Sequence, residues 1–204
     1  NGWRRTGLPA SFKQATVTAF AAHDGRLWAG TTQGLLVREE GVWQPVGFHP
    51  ELAERLIEVI YRDRDDTLWV GTSGALFRLA GSRVIDRWGS QGLFRDGNVL
   101  SVAEDHEGNL WLGSRSYGVA RLWNGYVLRY AGPEGLHEGL TWALARDAGG
   151  SLWVGTADGL TRFVEGRFRL QVAGTAQPHP HAYSLLPEPG RVWVGTRAGL
   201  YWWL

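Results

Sequence analysis

Residues 110–114 read Leu-Trp-Leu-Gly-Ser, and the phrase returns four more times: LWAGT at 27–31, LWVGT at 68–72, LWVGT at 152–156 and VWVGT at 192–196. The tryptophans fall at positions 28, 69, 111, 153 and 193, so the steps are 41, 42, 42 and 40 residues. A second signal follows each phrase: Gly34-Leu35, Gly74-Ala75, Gly118-Val119, Gly159-Leu160 and Gly199-Leu200. Ahead of each lies an apolar run and a tight-turn sequence, HDG, RDD, HEG, AGG or EPG. Self-similarity at such a period marks a repeat architecture, in which each copy buries its apolar face against the next.

Within one period the texture is all β. Residues 98–105 predict a short strand, His106-Glu107-Gly108-Asn109 a hairpin turn, and 110–114 a second strand. Ser116-Tyr117-Gly118 turns into a third strand over 119–123. Asn124-Gly125, a strong two-residue hairpin signal, leads to a fourth over 126–130. No window carries a 3.6-residue apolar stripe of helical length. Four antiparallel strands in about 41 residues is the size of a propeller blade. A β-sandwich has no need of a Trp at one phase of every hairpin, and a solenoid is built from parallel strands rather than from such hairpins. The sequence therefore predicts a five-bladed β-propeller occupying 1–204, with four antiparallel strands per blade. Its repeats run near 7–46, 47–88, 89–130, 131–172, and 173–204 together with 1–6. Asn1-Gly2-Trp3 resembles Asn124-Gly125-Tyr126, the start of a fourth strand, and Gly199–Leu204 resembles Gly118–Trp123, a third. The N-terminal strand is thus expected to pair with the C-terminal blade and close the ring of a monomer, which removes an open sheet edge. A larger ring built from two chains is the alternative.

Composition excludes several functions. Lys and Arg total 21 against 20 Asp and Glu, a net charge of +1. That leaves no basic excess for a nucleic acid partner. No apolar run approaches the length of a membrane-spanning helix, so no membrane contact is expected from this chain. The absence of Cys removes disulfides, thiolate metal sites and a Cys nucleophile. The absence of Met, even at position 1, reads as a processed or excised piece. No G-x-S-x-G phrase and no phosphate-cradling loop occur, so an enzyme is not expected. His179-Pro180-His181 has a metal-like spacing, but two His are too few, so neither metal nor cofactor is expected.

Trp28, Trp69, Trp111, Trp153 and Trp193 recur at one phase and read as packing between blades. Gly30, Gly71, Gly113, Gly155 and Gly195 read as points of close backbone approach. Asp63, Asp105 and Asp147 end the first strand of their copies, where a carboxylate accepts hydrogen bonds from turn amides. A binding function belongs where the copies differ. Phe48, His49, Arg95, Arg115, Tyr117, His137, Asp158, His179, His181 and Arg197 break the repeat in its loops. Trp142 opens a first strand where other copies have Leu100, Glu58 or Thr18. Aromatic planes beside Arg, Asp and His suit a sugar or small polar ligand, which needs stacking area and directional hydrogen bonds. Trp142, Arg115, Tyr117, Asp158, His181 and Arg197 are the candidate ligand-binding residues.

The copies VLSVAEDHEGNLWLGSRSYGVARL at 99–122 and TWALARDAGGSLWVGTADGLTRF at 141–163 resemble the two-component regulator propeller repeat. Its form is an apolar strand, an acidic turn, LWVGT, Gly-Leu, and then a basic residue. The likeness covers essentially the whole chain and marks the fold more specifically than the function. It implies an extracytoplasmic, periplasmic input domain of a bacterial receptor kinase or diguanylate cyclase that senses an oligosaccharide or small polar ligand and acts on a signalling-protein partner. Receptors of that family carry many more repeats, with an immunoglobulin-like module and a membrane helix that this chain lacks. A ligand-free or engineered interaction ring and a propeller lyase or glycoside-active enzyme are the other readings.

Overall fold

Each copy of the Trp phrase is a strand, hydrogen-bonded on both sides to antiparallel neighbours in chain order. The computed structural model describes residues 2, 6–89, 98–130, 134–136, 140–171 and 181–204. The chain forms two compact units, Asn1–Trp88 and Gly89–Leu204. The first unit holds two sheets. One comprises β1 (Val17–His23), β2 (Arg26–Thr31), β3 (Gly34–Glu39) and β4 (Val42–Pro45), paired in that order. The other comprises β5 (Ile57–Arg62), β6 (Leu68–Thr72), β7 (Ala75–Ala80) and β8 (Arg83–Trp88). A single-turn helix, α1 (Pro50–Glu54), lies between them in sequence and buries Leu52.

The second unit continues the pattern. Its first sheet is β9 (Val99–Glu104), β10 (Leu110–Ser114), β11 (Val119–Trp123) and β12 (Tyr126–Tyr130). The next is β13 (Thr141–Arg146), β14 (Leu152–Thr156), β15 (Gly159–Val164) and β16 (Arg167–Leu170). The last, β17 (Ser184–Glu188), β18 (Arg191–Thr196) and β19 (Gly199–Trp203), has three strands among the described residues. The fold is all-β and of propeller type, as the 41-residue period requires. The segment expected to supply a closing strand, residues 1 and 3–5, lies outside the described residues.

The strands alternate poorly because the middle ones are buried on both faces. LWVGT at β6 and at β14 and LWLGS at β10 are buried throughout. In the first unit the core gathers Trp28, Leu35, Leu52, Ile57, Leu68, Val70 and Phe77 from both sheets and α1. In the second, Trp111, Val119, Leu136, Leu152, Val154 and Phe168 form one core, and Trp153, Leu160, Ala182, Val192 and Val194 another. Glycine two residues after the Trp permits this closeness. A Cβ on Gly30 would stand 2.7 Å from Ile57 Cγ2, and one on Gly113 would stand 2.7 Å from Thr141 Cγ2. Both are distances real Cβ atoms do not tolerate, so Gly30 and Gly113 are points where the next sheet seats.

The carboxylate before each phrase acts as a latch. Trp69 Nε1–H donates to Asp63 Oδ2 at 2.7 Å while Thr67 N–H donates to Oδ1 at 2.7 Å. Trp111 and Asn109 do the same to Asp105 at 2.8 Å each. Trp153 and Ser151 repeat it on Asp147 at 2.9 and 2.8 Å. One carboxylate thus closes the hairpin and satisfies a buried indole N–H, as a structural reading of these Asp residues expects. A basic residue covers the same ring from the third strand. Arg78, Arg121 and Arg162 stand 5.6, 5.6 and 5.1 Å from the centroids of Trp69, Trp111 and Trp153.

Candidate functional site: an aromatic cluster at the start of β13 and β17

Pairing of β13 with β14 runs Thr141↔Thr156 and then Ala143↔Gly155, so Trp142 is the extra residue of a β-bulge. A bulge turns its side chain away from the regular pleat. The same register shift falls at Thr18, between Val17 and Ala19, and at Glu58, between Ile57 and Val59. These are the positions aligned with Trp142 in sequence. The column in which the copies disagree thus falls on a register shift in the sheets of β1, β5, β9 and β13.

In the last sheet that column holds Tyr183, which the sequence reading missed. The signal was present: Ala182-Tyr183-Ser184-Leu185 aligns with Thr141-Trp142-Ala143-Leu144. Tyr183 N–H bonds to Gly195 O at 2.9 Å, just before the Ser184↔Gly195 pair. Because β13 lies beside β17, the two rings meet, with centroids 4.5 Å apart and planes 45° apart. His181 completes the group at 5.3 Å from Trp142, with Nδ1 3.3 Å from the Tyr183 hydroxyl. The exposed Arg197, from the β18–β19 turn, places its guanidinium carbon 5.9 Å from the centre of the Tyr183 ring.

Three of the six expected ligand residues, Trp142, His181 and Arg197, thus converge on Tyr183. The other three stand in other turns. Asp158 lies in the β14–β15 turn, where its N–H donates to Thr156 Oγ1 at 3.1 Å and its side chain is exposed. Arg115 N–H bonds to Asn98 O at 3.2 Å in the β10–β11 turn. In that same turn Tyr117 is covered by Arg129, whose guanidinium carbon is 4.6 Å from the ring centre. Of the further loop residues, His49 packs edge-on to Phe77 at 5.1 Å. Arg95, His137 and His179 lie outside the described residues.

Trp142, His181 and Tyr183 are half-buried, so part of the cluster is open to solvent. That arrangement stacks and hydrogen-bonds. Among the described residues, the displaced carboxyl pKa values lie elsewhere. Burial pushes Asp105 up, but hydrogen bonds from Asn109 and Trp111 and the charge of Arg121 outweigh it and hold it below its ordinary value. Asp147 is lowered in the same way, burial being overcome by Trp153, Ser151 and Arg162. Hydrogen bonds from Arg87 and Arg62 lower Glu51 and Asp66 respectively. A cavity of about 260 Å³ lined by Asp147, Gly149, Glu188, Pro189 and Leu204 sits at the opposite ends of these strands, in the hairpin turns.

The family model for the two component regulator propeller matches residues 52–74 and 93–116. The chain therefore carries the repeat that its sequence resembles. No curated protein sequence matches it. Among solved structures, it is similar to the extracellular domain of BT3049 from B. thetaiotaomicron, assigned as a hybrid two component system. The TM-score is 0.80 at 22% identity, over 93% of this chain and 27% of that one. The corresponding domain of BT4673 from the same organism gives 0.75 at 20% identity, over 91% and 26%. Virginiamycin B lyase from Staphylococcus aureus gives 0.67 at 13% identity, over 92% and 69%. The chain spans about a quarter of the two extracellular domains.

Proposed function

We propose that this chain is a non-enzymatic ligand-recognition propeller, part of an extracytoplasmic sensor, that stacks a carbohydrate or other small polar ligand on Trp142 and Tyr183. One observation carries the reading. The column that opens the first strand brings two large aromatic rings to 4.5 Å in adjacent sheets, with His181 beside Trp142 and Arg197 over the Tyr183 ring. Sugars are held by such faces together with directional polar groups. The likeness to extracellular domains of two component systems supports the setting. The carboxylates with displaced pKa, Glu51, Asp66, Asp105 and Asp147, sit in ion pairs and hairpin latches rather than at the cluster, which favours binding over catalysis.

The test is a titration of tryptophan fluorescence against a panel of oligosaccharides and sugar acids. A saturable change in the native chain that disappears in Trp142→Ala supports the reading. Silence across the panel, or undiminished binding by Trp142→Ala, defeats it.

We also propose that the five sheets close as one ring, with residues 1–6 supplying a fourth strand to the sheet ending in β19. Leu200 and Trp202 on that edge strand are exposed. Deletion of residues 1–6 then lowers the melting temperature, whereas an unchanged melt places the seam elsewhere.

A further inference from the structure

We infer that the Trp142–Tyr183 cluster selects a carboxylate-bearing saccharide, one that presents a uronic acid, and that Arg197 is the residue that sets this specificity. The inference rests on the stacking site proposed above and names the class of ligand that site takes.

Arg197 differs from its counterparts in what it lacks. Among the described residues, seven arginines stand over aromatic rings. Four of them pair with a carboxylate, as Arg121 does with Glu107. Arg162 bonds the Ser151 hydroxyl at 2.7 Å, and Arg129 bonds the Tyr117 carbonyl oxygen at 3.4 Å. Arg197 alone covers its ring with no oxygen against its guanidinium. Asp158, the exposed acid of the β14–β15 turn, makes no ion pair with it.

The same shortage runs through the cluster. Trp69, Trp111, Trp153 and Trp193 each donate their indole N–H to a carboxylate, whereas that of Trp142 has no acceptor among the described residues. His181 faces the Tyr183 hydroxyl and no carboxylate. Rings and hydrogen-bond donors are therefore gathered here without the anion that accompanies them elsewhere in the fold. A carboxylate is planar, and its two oxygens match the guanidinium fork, which packing against Tyr183 helps to hold in place. The sugar ring that carries it covers the aromatic faces. A neutral sugar fills the same faces but leaves Arg197 without a partner.

The test pairs oligosaccharides of galacturonic, glucuronic and mannuronic acid with their carboxyl-reduced, neutral forms, each titrated calorimetrically into the full chain. The acidic member of a pair should bind about tenfold tighter or more, the effect of one charge-assisted contact, and Arg197→Gln should abolish that preference. Arg197 is an exposed turn residue, so the variant keeps a native circular dichroism spectrum. Arg167→Gln removes the same charge from an exposed residue at the far end of the fourth sheet and should retain the preference. Equal binding of the two members, a preference that survives in Arg197→Gln, or one that is lost equally in Arg167→Gln overturns the inference while the stacking site stands. Binding by no member of any pair defeats the stacking site itself, and the inference with it.

Discussion

The first hairpin and the three that follow it solve one problem differently. In β5–β6, β9–β10 and β13–β14 a carboxylate accepts from the indole N–H and from a turn amide, and an Arg on the third strand covers the ring. In β1–β2 the acceptor is replaced by His23, and the residue paired opposite the Trp is Val37 instead of Arg. Trp28 is nonetheless 0% exposed, the most deeply buried of the five. The difference teaches that burial places the tryptophan and that the polar latch serves to satisfy its N–H once there. The last hairpin is intermediate: Trp193 donates to Glu188 at 3.0 Å, Arg191 stands over its ring, and the pair is exposed to solvent.

The largest expected effect tests that conclusion. Trp28→Ala and Trp111→Ala should each cost about 3–5 kcal/mol in urea unfolding, because each removes a buried indole and leaves a cavity. A loss at Trp28 less than half that at Trp111 would mean that the latch, not burial, fixes the ring.

A smaller effect isolates the latch. Trp111→Phe should cost about 1–3 kcal/mol more than Trp28→Phe, since only the former strands a buried acceptor. The latch should also be visible in pH. The Asp105 and Asp147 pKa values are lowered on folding, so the unfolded chain binds more protons at acid pH. Their stabilisation is complete above the ordinary carboxylate value of 3.8 and is lost as pH falls through the lowered folded values. Asp105→Asn/Asp147→Asn should flatten the acid limb of stability against pH, and an unchanged limb would remove these groups from the account. Smallest is the cover on the ring. Arg121→Leu should cost about 0.5–1 kcal/mol for its place over Trp111, measured by thermal unfolding.

Spacing made the scaffold legible. The Trp period, the Gly two residues after it and the turn carboxylates are all visible in one aligned phrase. Trp142 was legible as an odd residue in its column, but the reason, a bulge, is a property of strand pairing. Tyr183 occupies that same column. It was passed over because its copy reads Ala-Tyr-Ser-Leu after a long connector, and a Tyr opening a strand carries no signal alone. What joins Trp142 to Tyr183 is the packing of one sheet on the next. Side chains separated by about one repeat meet there, and no local pattern records the meeting.

Because latched and bulge-column tryptophans differ in what holds them, one spectrum tests the central claim. In indole N–H resonances recorded through an oligosaccharide titration, Trp142 should shift in a saturable way while Trp69, Trp111 and Trp153, tied to their carboxylates, stay fixed. Movement of the latched set without Trp142 would contradict the account.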